Sequence, residues 1–105
     1  TTNGGTYVGI LPISNNIPKE FKLYQNYPNP FNGQTIFEFH VPEQTVYKFE
    51  IYDMIGRKVK ELFNENINKG KYKLNFNASD LSSGTYFYKL SSSNYFEVKK
   101  FTFVK

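Results

Sequence analysis

Cysteine is absent from all 105 residues of the chain. This absence excludes a disulfide framework, a thiolate nucleophile and metal sites built on cysteine. The fold must therefore be held together by packing alone. Nine tyrosines and eleven phenylalanines provide large apolar side chains for that purpose.

The residue patterns of catalysis are also missing. His40 is the only histidine, and no glycine-rich phosphate loop follows a predicted strand. Glu38 and Glu50 could face each other on adjacent strands, but the neighbouring Lys48 favours surface ion pairing over the raised pKa that a catalytic carboxylate pair needs. We therefore expect no enzyme, no cofactor and no metal site.

Long apolar runs are absent too: no stretch approaches the ~18 apolar residues of a membrane-spanning helix. No segment has the basic and then apolar pattern of a secretory signal. The first residue is Thr1, so we expect the chain to be part of a longer protein. The net charge of +4 comes from lysines that mostly alternate with apolar residues, which predicts solvated strand faces or, alternatively, contact with an anionic polysaccharide or lipid head group.

All five prolines lie at or before Pro42, and strand-like alternation dominates after it. The pattern predicts an all-β fold, an antiparallel β-sandwich of about seven strands. The predicted strands cover residues 21–25, 35–41, 46–53, 58–63, 71–77, 85–90 and 95–104. If the second and third of these pair as a hairpin, their loop must have an odd number of residues. A weakened period at residues 62–63 predicts a bulge or a strand end.

Alternation also assigns the strand faces. Glu38, His40, Lys48 and Glu50 are predicted to face outward. The residues predicted to face inward are Phe21, Leu23, Phe37, Phe39, Val41, Tyr47, Phe49, Ile51, Val59, Tyr72, Leu74, Phe76, Tyr86, Tyr88, Leu90, Phe96 and Val98.

Residues 1–20 mix Thr, Asn, Gly, Ser and Pro around a short apolar run. This composition is typical of a linker, and the alternative is an added edge strand. We predict a linker from an upstream domain over residues 1–20 and one domain over residues 21–105.

The segment NYPNPFNGQT at residues 26–35 is too rich in proline for a strand. Pro28 and Pro30 fix φ and bias the residues before them toward extended conformations. Asn32 and the following glycine form a strong turn signal. We expect Tyr27 and Phe31 to tuck under the sandwich, so that this segment forms a rigid lid on one end of the core.

Residues 80–88 read DLSSGTYFY, which resembles the tyrosine corner of immunoglobulin-like folds. There a tyrosine hydroxyl bonds the backbone upstream, and Tyr86 is the better candidate for that role. The alternative is a turn followed by a strand whose tyrosine simply packs.

Four motifs in order resemble the type A C-terminal sorting domain of the type IX (Por) secretion system. They are LYQNYPNPFN at residues 23–32, FEIYDMIGRKV at 49–59, LSSGTYFYKL at 81–90 and KKFTFVK at 99–105. The first motif marks the start of the domain as a structural element, through Asn26, Pro28, Asn29, Pro30, Phe31 and Asn32.

The resemblance implies an immunoglobulin-like signal domain that folds in the periplasm and directs a larger cargo protein across the outer membrane. An outer-membrane shuttle would collect the cargo, and a surface sortase would cut within residues 1–20 and link the cargo to anionic lipopolysaccharide. The cargo would end at the cell surface or outside the cell. The implied recognition residues are Gly84, Tyr86, Lys100, Phe101, Phe103 and Lys105.

The terminal strand would then dock through its open edge. In the alternative, Phe101 and Phe103 complete the core while Lys100 and Lys105 are merely solvated. Two other functions stay open: a structural spacer related to the flagellar hook-cap immunoglobulin-like domain, and an accessory carbohydrate-binding module. The second would use a row of outward aromatic residues: Tyr24, Tyr52, Phe87 and Tyr95.

Overall fold

The computed structural model describes residues 10–14 and 16–105. They form an immunoglobulin-like β-sandwich with eight strands in two antiparallel sheets, one strand more than the sequence predicted. The strands are β1 (Ile10–Ser14), β2 (Lys22–Leu23), β3 (Gln34–Val41), β4 (Thr45–Tyr52), β5 (Lys58–Ile67), β6 (Gly70–Asn77), β7 (Gly84–Ser91) and β8 (Phe96–Phe103). Within these residues no helix is long and apolar enough to cross a membrane.

The first sheet has the strand order β1-β6-β3-β2, and the second has the order β5-β4-β7-β8. Strands β3 and β4 lie in different sheets, so the short loop at residues 42–44 crosses the sandwich and does not close a hairpin. Glu38 and Glu50 are therefore not neighbours on adjacent strands, which corrects that expectation. In place of β4, β6 pairs with β3 along its whole length, from Gln34 opposite Asn77 to Val41 opposite Gly70.

The aromatic core follows the predicted alternation on β3, β4, β6 and β7. Phe37 lies at its centre, with its ring centroid 4.9 Å from that of Phe49 and 4.6 Å from that of Tyr88. The buried apolar side chains on these strands are Phe37, Phe39, Val41, Tyr47, Phe49, Ile51, Leu74, Phe76, Tyr86, Tyr88 and Leu90, and Tyr72 packs against them while partly exposed. Burying this much aromatic surface is the main source of stability in a domain without cross-links.

Strand β5 departs from the predicted pattern because it contains two bulges. Val59 was predicted to face inward, but it is the extra residue between two register pairs and is exposed. The second bulge falls at Leu62, as predicted, because Phe49 pairs with Phe63 and Glu50 pairs with Glu61. This extra residue resets the alternation, so that Leu62 and Phe63 are both buried.

Strand β8 corrects two further assignments. Phe96 and Val98 were predicted to face inward, but they are 72% and 43% exposed. Phe101 pairs with the inward-facing Tyr86 and therefore also faces inward. Because side chains alternate along a strand, the odd-numbered residues of β8 face inward and the even-numbered residues face solvent. Glu97 therefore points inward, where its Oε1 accepts a hydrogen bond of 3.1 Å from the Leu23 N–H.

Glu50 points away from the aromatic core but is only 3% exposed, contrary to the expectation of a solvated glutamate. Three lysines cover it, with ammonium-to-carboxylate distances of 3.9 Å from Lys48, 3.5 Å from Lys58 and 3.7 Å from Lys89. Ion pairing on the sheet surface was predicted, and it is this pairing that buries the carboxylate.

Tyrosine corners occur at three places. The hydroxyl of Tyr86 donates to the Ser82 carbonyl at 2.7 Å, which confirms the predicted corner. Tyr47 and Tyr72 make the same bond to the carbonyl four residues upstream, at 2.8 Å and 2.7 Å. Each is the third residue of its strand, so the bond pins the preceding turn to the strand that follows it. Burial, then the nearby Glu43 carboxylate, raises the pKa of Tyr47 to about 12.

Tyr88 links the two sheets. It lies on β7, and its hydroxyl donates to the Tyr24 carbonyl at 2.8 Å on the opposite side of the core. The same oxygen accepts a bond of 2.9 Å from the N–H of Asn26, which is 2% exposed. Burial raises the pKa of this phenol well above its ordinary value. One fully buried side chain thus fixes the start of the 26–33 segment.

The segment at residues 26–33 closes the edge of β8, and we call it the clasp. Phe31 forms a parallel bridge to Phe103 with two hydrogen bonds. The Phe31 N–H donates to the Thr102 carbonyl at 3.0 Å, and the Val104 N–H donates to the Phe31 carbonyl at 2.9 Å. Its ring is buried against Phe101 and Phe103, as the lid hypothesis requires. Tyr27, in contrast, is 41% exposed, so its predicted place under the sandwich was wrong.

Part of the first 20 residues lies in the sandwich. β1 pairs with β6, and Ile10 is buried, which matches the edge-strand alternative for Ile10–Ser14. Residues 1–9 and 15 lie outside the described residues, and the linker role of residues 1–20 stays a prediction.

We expect Tyr88→Phe to lower the free energy of unfolding by about 2–3 kcal/mol, because it leaves the buried Asn26 N–H without an acceptor. The control Tyr72→Phe removes an exposed bond and should cost about 1 kcal/mol or less. Urea unfolding followed by circular dichroism measures both. Equal losses would contradict the bridging role of Tyr88.

We expect Phe31→Ala to lower the free energy of unfolding by about 3–5 kcal/mol, since it empties a packed aromatic site. A loss of that size lowers the melting temperature by more than about 10 °C in a domain of this length. Tyr27→Ala, in the same segment, should shift it by only a few degrees. An unchanged melting temperature for Phe31→Ala would refute the lid.

Candidate functional site

All four family-like motifs reach the same end of the sandwich. Strands β3, β5 and β7 begin there and β4, β6 and β8 finish there, so the clasp meets three other segments. We call this region the motif end: residues 26–33, 53–57, 78–83 and 104–105. The opposite end carries the turns at residues 42–44, 68–69 and 92–95, which belong to none of the motifs.

Hydrogen bonds join these segments to one another. The Ala78 N–H donates to the Gly33 carbonyl at 3.0 Å, which ties the clasp to the loop after β6. Lys105 is held by the same loop: its N–H donates to Ser83 Oγ at 2.8 Å, and its ammonium donates to the Leu81 carbonyl at 3.1 Å. The last residue therefore has a defined position on this surface.

Gly84 and Tyr86 shape the loop beside the terminal residue. The Tyr86 ring stacks on Phe101 at 5.3 Å between centroids, while its hydroxyl holds Ser82. Gly84 starts β7 opposite Phe103. These two predicted recognition residues position the Ser82–Ser83 backbone, and Tyr86 itself is only 8% exposed.

The predicted recognition residues of the terminal segment divide into two groups. Phe101 and Phe103 are 0% and 2% exposed and belong to the core, as the alternative reading of these two residues required. Lys100 and Lys105 are exposed. On the folded domain a partner can therefore reach the lysines, whereas the two rings support them from within.

The predicted structural residues of the clasp make side-chain bonds that fix its path. Asn29 Oδ1 accepts from the Thr102 N–H at 2.9 Å. Asn26 Nδ2 donates to the Pro28 carbonyl and to Thr35 Oγ1, both at 3.0 Å. Pro28 and Pro30 both follow cis peptide bonds. Asn32 is exposed.

The clasp changes which part of the β8 edge is open. The clasp bonds Thr102 and Val104, and Gln25, the residue before the clasp, donates from Nε2 to the Lys100 carbonyl at 2.6 Å. The terminal half of the strand is therefore occupied, and the expectation that its edge is available for docking was wrong. The first half keeps an open edge, where the inward Glu97 and Lys99 form an ion pair of 3.4 Å that discourages strand addition.

The turn at residues 53–57 was not assigned a role from the sequence, although it lies inside one of the motifs. It borders a shallow cavity of about 290 Å³ that Gly84, Tyr86 and Ser83 also line. Met54 and Ile55 at its tip are 57% and 75% exposed. Two apolar residues in a solvent-facing turn are the sequence signal that could have identified it.

Within the motif end two cations, Arg57 and Lys105, balance two carboxylates, Asp53 and Asp80. Lys58, Lys60 and Lys100 lie on the adjoining strands.

Both carboxylates near the motif end are already paired. The Arg57 backbone N–H and then its guanidinium hold the pKa of Asp53 below its usual value. Hydrogen bonding from the Lys60 ammonium does the same for the pKa of Asp80. Among the described residues, Lys100 and Lys105 form no ion pair, so their charge is available to a partner.

The structure gives less support to the row of outward aromatic residues that was considered for sugar binding. Tyr24 packs against His40 on the first sheet, and Tyr95 stacks on Phe21 at the far end, so the four outward aromatic residues form no continuous row. Only Tyr52 and Phe87 are register partners.

The single histidine does not form a catalytic pair either. His40 contacts Glu38 at 3.2 Å and is less exposed than expected, at 14% for its side chain. No group of three or more potential metal ligands occurs within the described part of the chain.

Comparison with known families gives a match over most of the chain. The sequence model of the family described as "Secretion system C-terminal sorting domain" matches residues 25–105. The comparisons with curated proteins and with solved structures found no match. Domains of this type are non-catalytic sorting signals, which implies a cargo chain, the secretion machinery and export to the cell surface or the extracellular space. Because the match covers most of its length, this chain belongs to the family of type IX secretion C-terminal sorting domains.

Proposed function

We propose that the motif end is the surface through which the type IX machinery recognises this domain and exports its cargo. The observation that carries the proposal is the convergence of four distant motif segments on one end of the sandwich, joined by bonds such as Lys105 N–H to Ser83 Oγ, 2.8 Å. Lys100 and Lys105 are exposed cations that form no ion pair among the described residues, and such cations are suited to recognition because they steer and orient an acidic partner.

The predicted recognition residues take different parts in this proposal. Lys105, in the motif end, and Lys100, on the adjoining part of β8, contact the machinery directly. Gly84 and Tyr86 hold the adjacent loop in shape, and Phe101 and Phe103 anchor the terminal strand in the core. The clasp keeps that strand in place from its outer edge.

The rest of the pathway follows the family resemblance. The domain folds in the periplasm, an outer-membrane shuttle collects the folded domain, and a cell-surface sortase cuts the chain within residues 1–20. The released cargo is then linked to anionic lipopolysaccharide. The division into a linker over residues 1–20 and a sorting domain over residues 21–105 belongs to the same proposal.

A carbohydrate-binding role is the weaker candidate. A flat binding surface needs aromatic rings side by side, and the structure brings only Tyr52 and Phe87 together. Lys89 also lies over the Tyr52 ring at 5.3 Å, where a sugar would have to stack.

The recognition proposal is tested with a reporter protein fused to residues 1–105 in a bacterium with a working type IX system. We expect Lys100→Ala with Lys105→Ala to reduce the secreted reporter by at least about tenfold while the melting temperature stays within a few degrees. The matched control is Lys19→Ala with Lys69→Ala, two exposed lysines away from the motif end. Normal secretion of the Lys100/Lys105 variant would sink the proposed role of these lysines.

The cleavage proposal makes a separate prediction. Residues Ile10–Ser14 are paired with β6, and a protease needs an unpaired, extended chain. We therefore expect the cut to fall within residues 1–20 but outside the paired strand. The mass of the fragment released from the fusion identifies the site, and a cut between Ile10 and Ser14 would contradict the expectation.

A further inference from the structure

The turn at residues 53–57 displays two apolar side chains that the fold does not use. Met54 and Ile55 are 57% and 75% exposed, and Ile55 is the most exposed of the large apolar residues that the structure describes. An exposed isoleucine at the tip of a turn adds nothing to the core. We call this pair the turn tip.

The turn that carries them is held rigidly. Asp53 Oδ1 accepts from the Ile55 N–H at 3.1 Å and from the Arg57 N–H at 2.9 Å, and Asp53 Oδ2 accepts from Arg57 Nε at 2.9 Å. Two backbone bonds between Asp53 and residues 56–57 complete it. Gly56 has a φ of +88°, which other residues rarely adopt. A partner that binds the turn tip therefore loses little of its binding energy to ordering this loop.

The surroundings of the turn tip indicate its partner. The cavity of about 290 Å³ beside it is lined by Ser83, which belongs to the motif end, and by Thr85 and Tyr86 at the start of β7. Ser83 also binds the N–H of Lys105. The turn tip and Lys105 are thus parts of one surface, which has an apolar projection and a cation beside it.

We propose that the turn tip inserts into an apolar pocket with a carboxylate-bearing rim on a protein of the secretion machinery. This inference rests on the proposed function and adds a second contact to it. The apolar projection fits such a pocket, and the ammonium of Lys105, which forms no ion pair among the described residues, fits a carboxylate on its rim.

A lipid bilayer is the other partner that an apolar tip and cations could bind, but the two apolar side chains are too small for stable membrane binding. Burial of a myristoyl chain, at about 0.8 kcal/mol per CH₂, gives only marginal membrane binding. The two side chains of the turn tip contain about half as many carbon atoms. They are too small to hold the domain on a membrane, whereas a protein pocket needs only a few well-packed side chains.

The first test uses the reporter fused to residues 1–105. We expect Met54→Ser with Ile55→Ser to reduce export by at least about tenfold and to leave the melting temperature unchanged, because both side chains are exposed. The control is Phe96→Ser, which removes an equally exposed apolar side chain at the other end of the sandwich and should export normally. Normal export of the double variant would overturn the inference.

The second test identifies the partner that the turn tip contacts. A photo-crosslinking amino acid replaces Ile55 in the fusion, and a second fusion carries it in place of Phe96. We expect a crosslink to one outer-membrane protein from position 55 but not from position 96. Crosslinking to lipid, or to no protein at all, would overturn the inference.

The two proposals fail in different ways. If the unaltered fusion stays inside the cell, the proposed function fails. If the unaltered fusion is exported and the turn-tip variant is exported equally well, only the present inference fails.

Discussion

The pairing of Phe31 with the terminal strand is the constraint on which the rest of the structure depends. Without disulfides, the outer edge of β8 must be closed by non-covalent bonds. The clasp does this with backbone bonds at 3.0 Å and 2.9 Å and with a ring inserted between the sheets. It joins a segment near residue 30 to the last residues of the domain, and so it fixes the position of Lys105 as well as the core.

The clasp itself is held from the other sheet. Tyr88 reaches across the core to Tyr24 and Asn26, and the Asn26 amide then bonds the Pro28 carbonyl and Thr35. A buried hydroxyl with two satisfied bonds stabilises one arrangement over its competitors, because any shift leaves polar groups without partners. Aromatic packing therefore supplies most of the stability, whereas the tyrosine hydroxyls specify which loop goes where.

Strand faces were predictable wherever a strand pairs on both sides. On β3, β4, β6 and β7 alternation assigned every core aromatic correctly, because a central strand has no freedom to shift its register. On β5 and β8, which lie at sheet edges, it failed at Val59, Phe96 and Val98. On β5 a bulge takes Val59 out of the alternation. On β8 the apolar residues before and after Lys99 suggest opposite faces, and only the unbroken pairing with β7 decides between them.

Contacts between segments that are far apart in the chain could not be predicted from the sequence either. The proline-rich motif predicted a lid, and Phe31 fulfils it, but nothing in the local pattern predicts that Asn29 binds Thr102 at 2.9 Å. The same limit hid the turn at residues 53–57. Its Asp and Gly signalled a turn, yet its place beside Gly84 and Tyr86 follows only from the strand order.

The candidate site is assembled from segments that are far apart in the sequence, and this limits what a partner can recognise. Ile55, Ser83 and Lys105 are distant in sequence and meet only when β4, β7 and β8 are assembled. The two phenylalanines of the terminal segment are buried, so an unfolded tail displays them and a folded domain does not. A receptor for the motif end would therefore bind folded domains and pass over unfolded ones. Recognition of this kind makes export depend on the same clasp and tyrosine bonds that stabilise the sandwich.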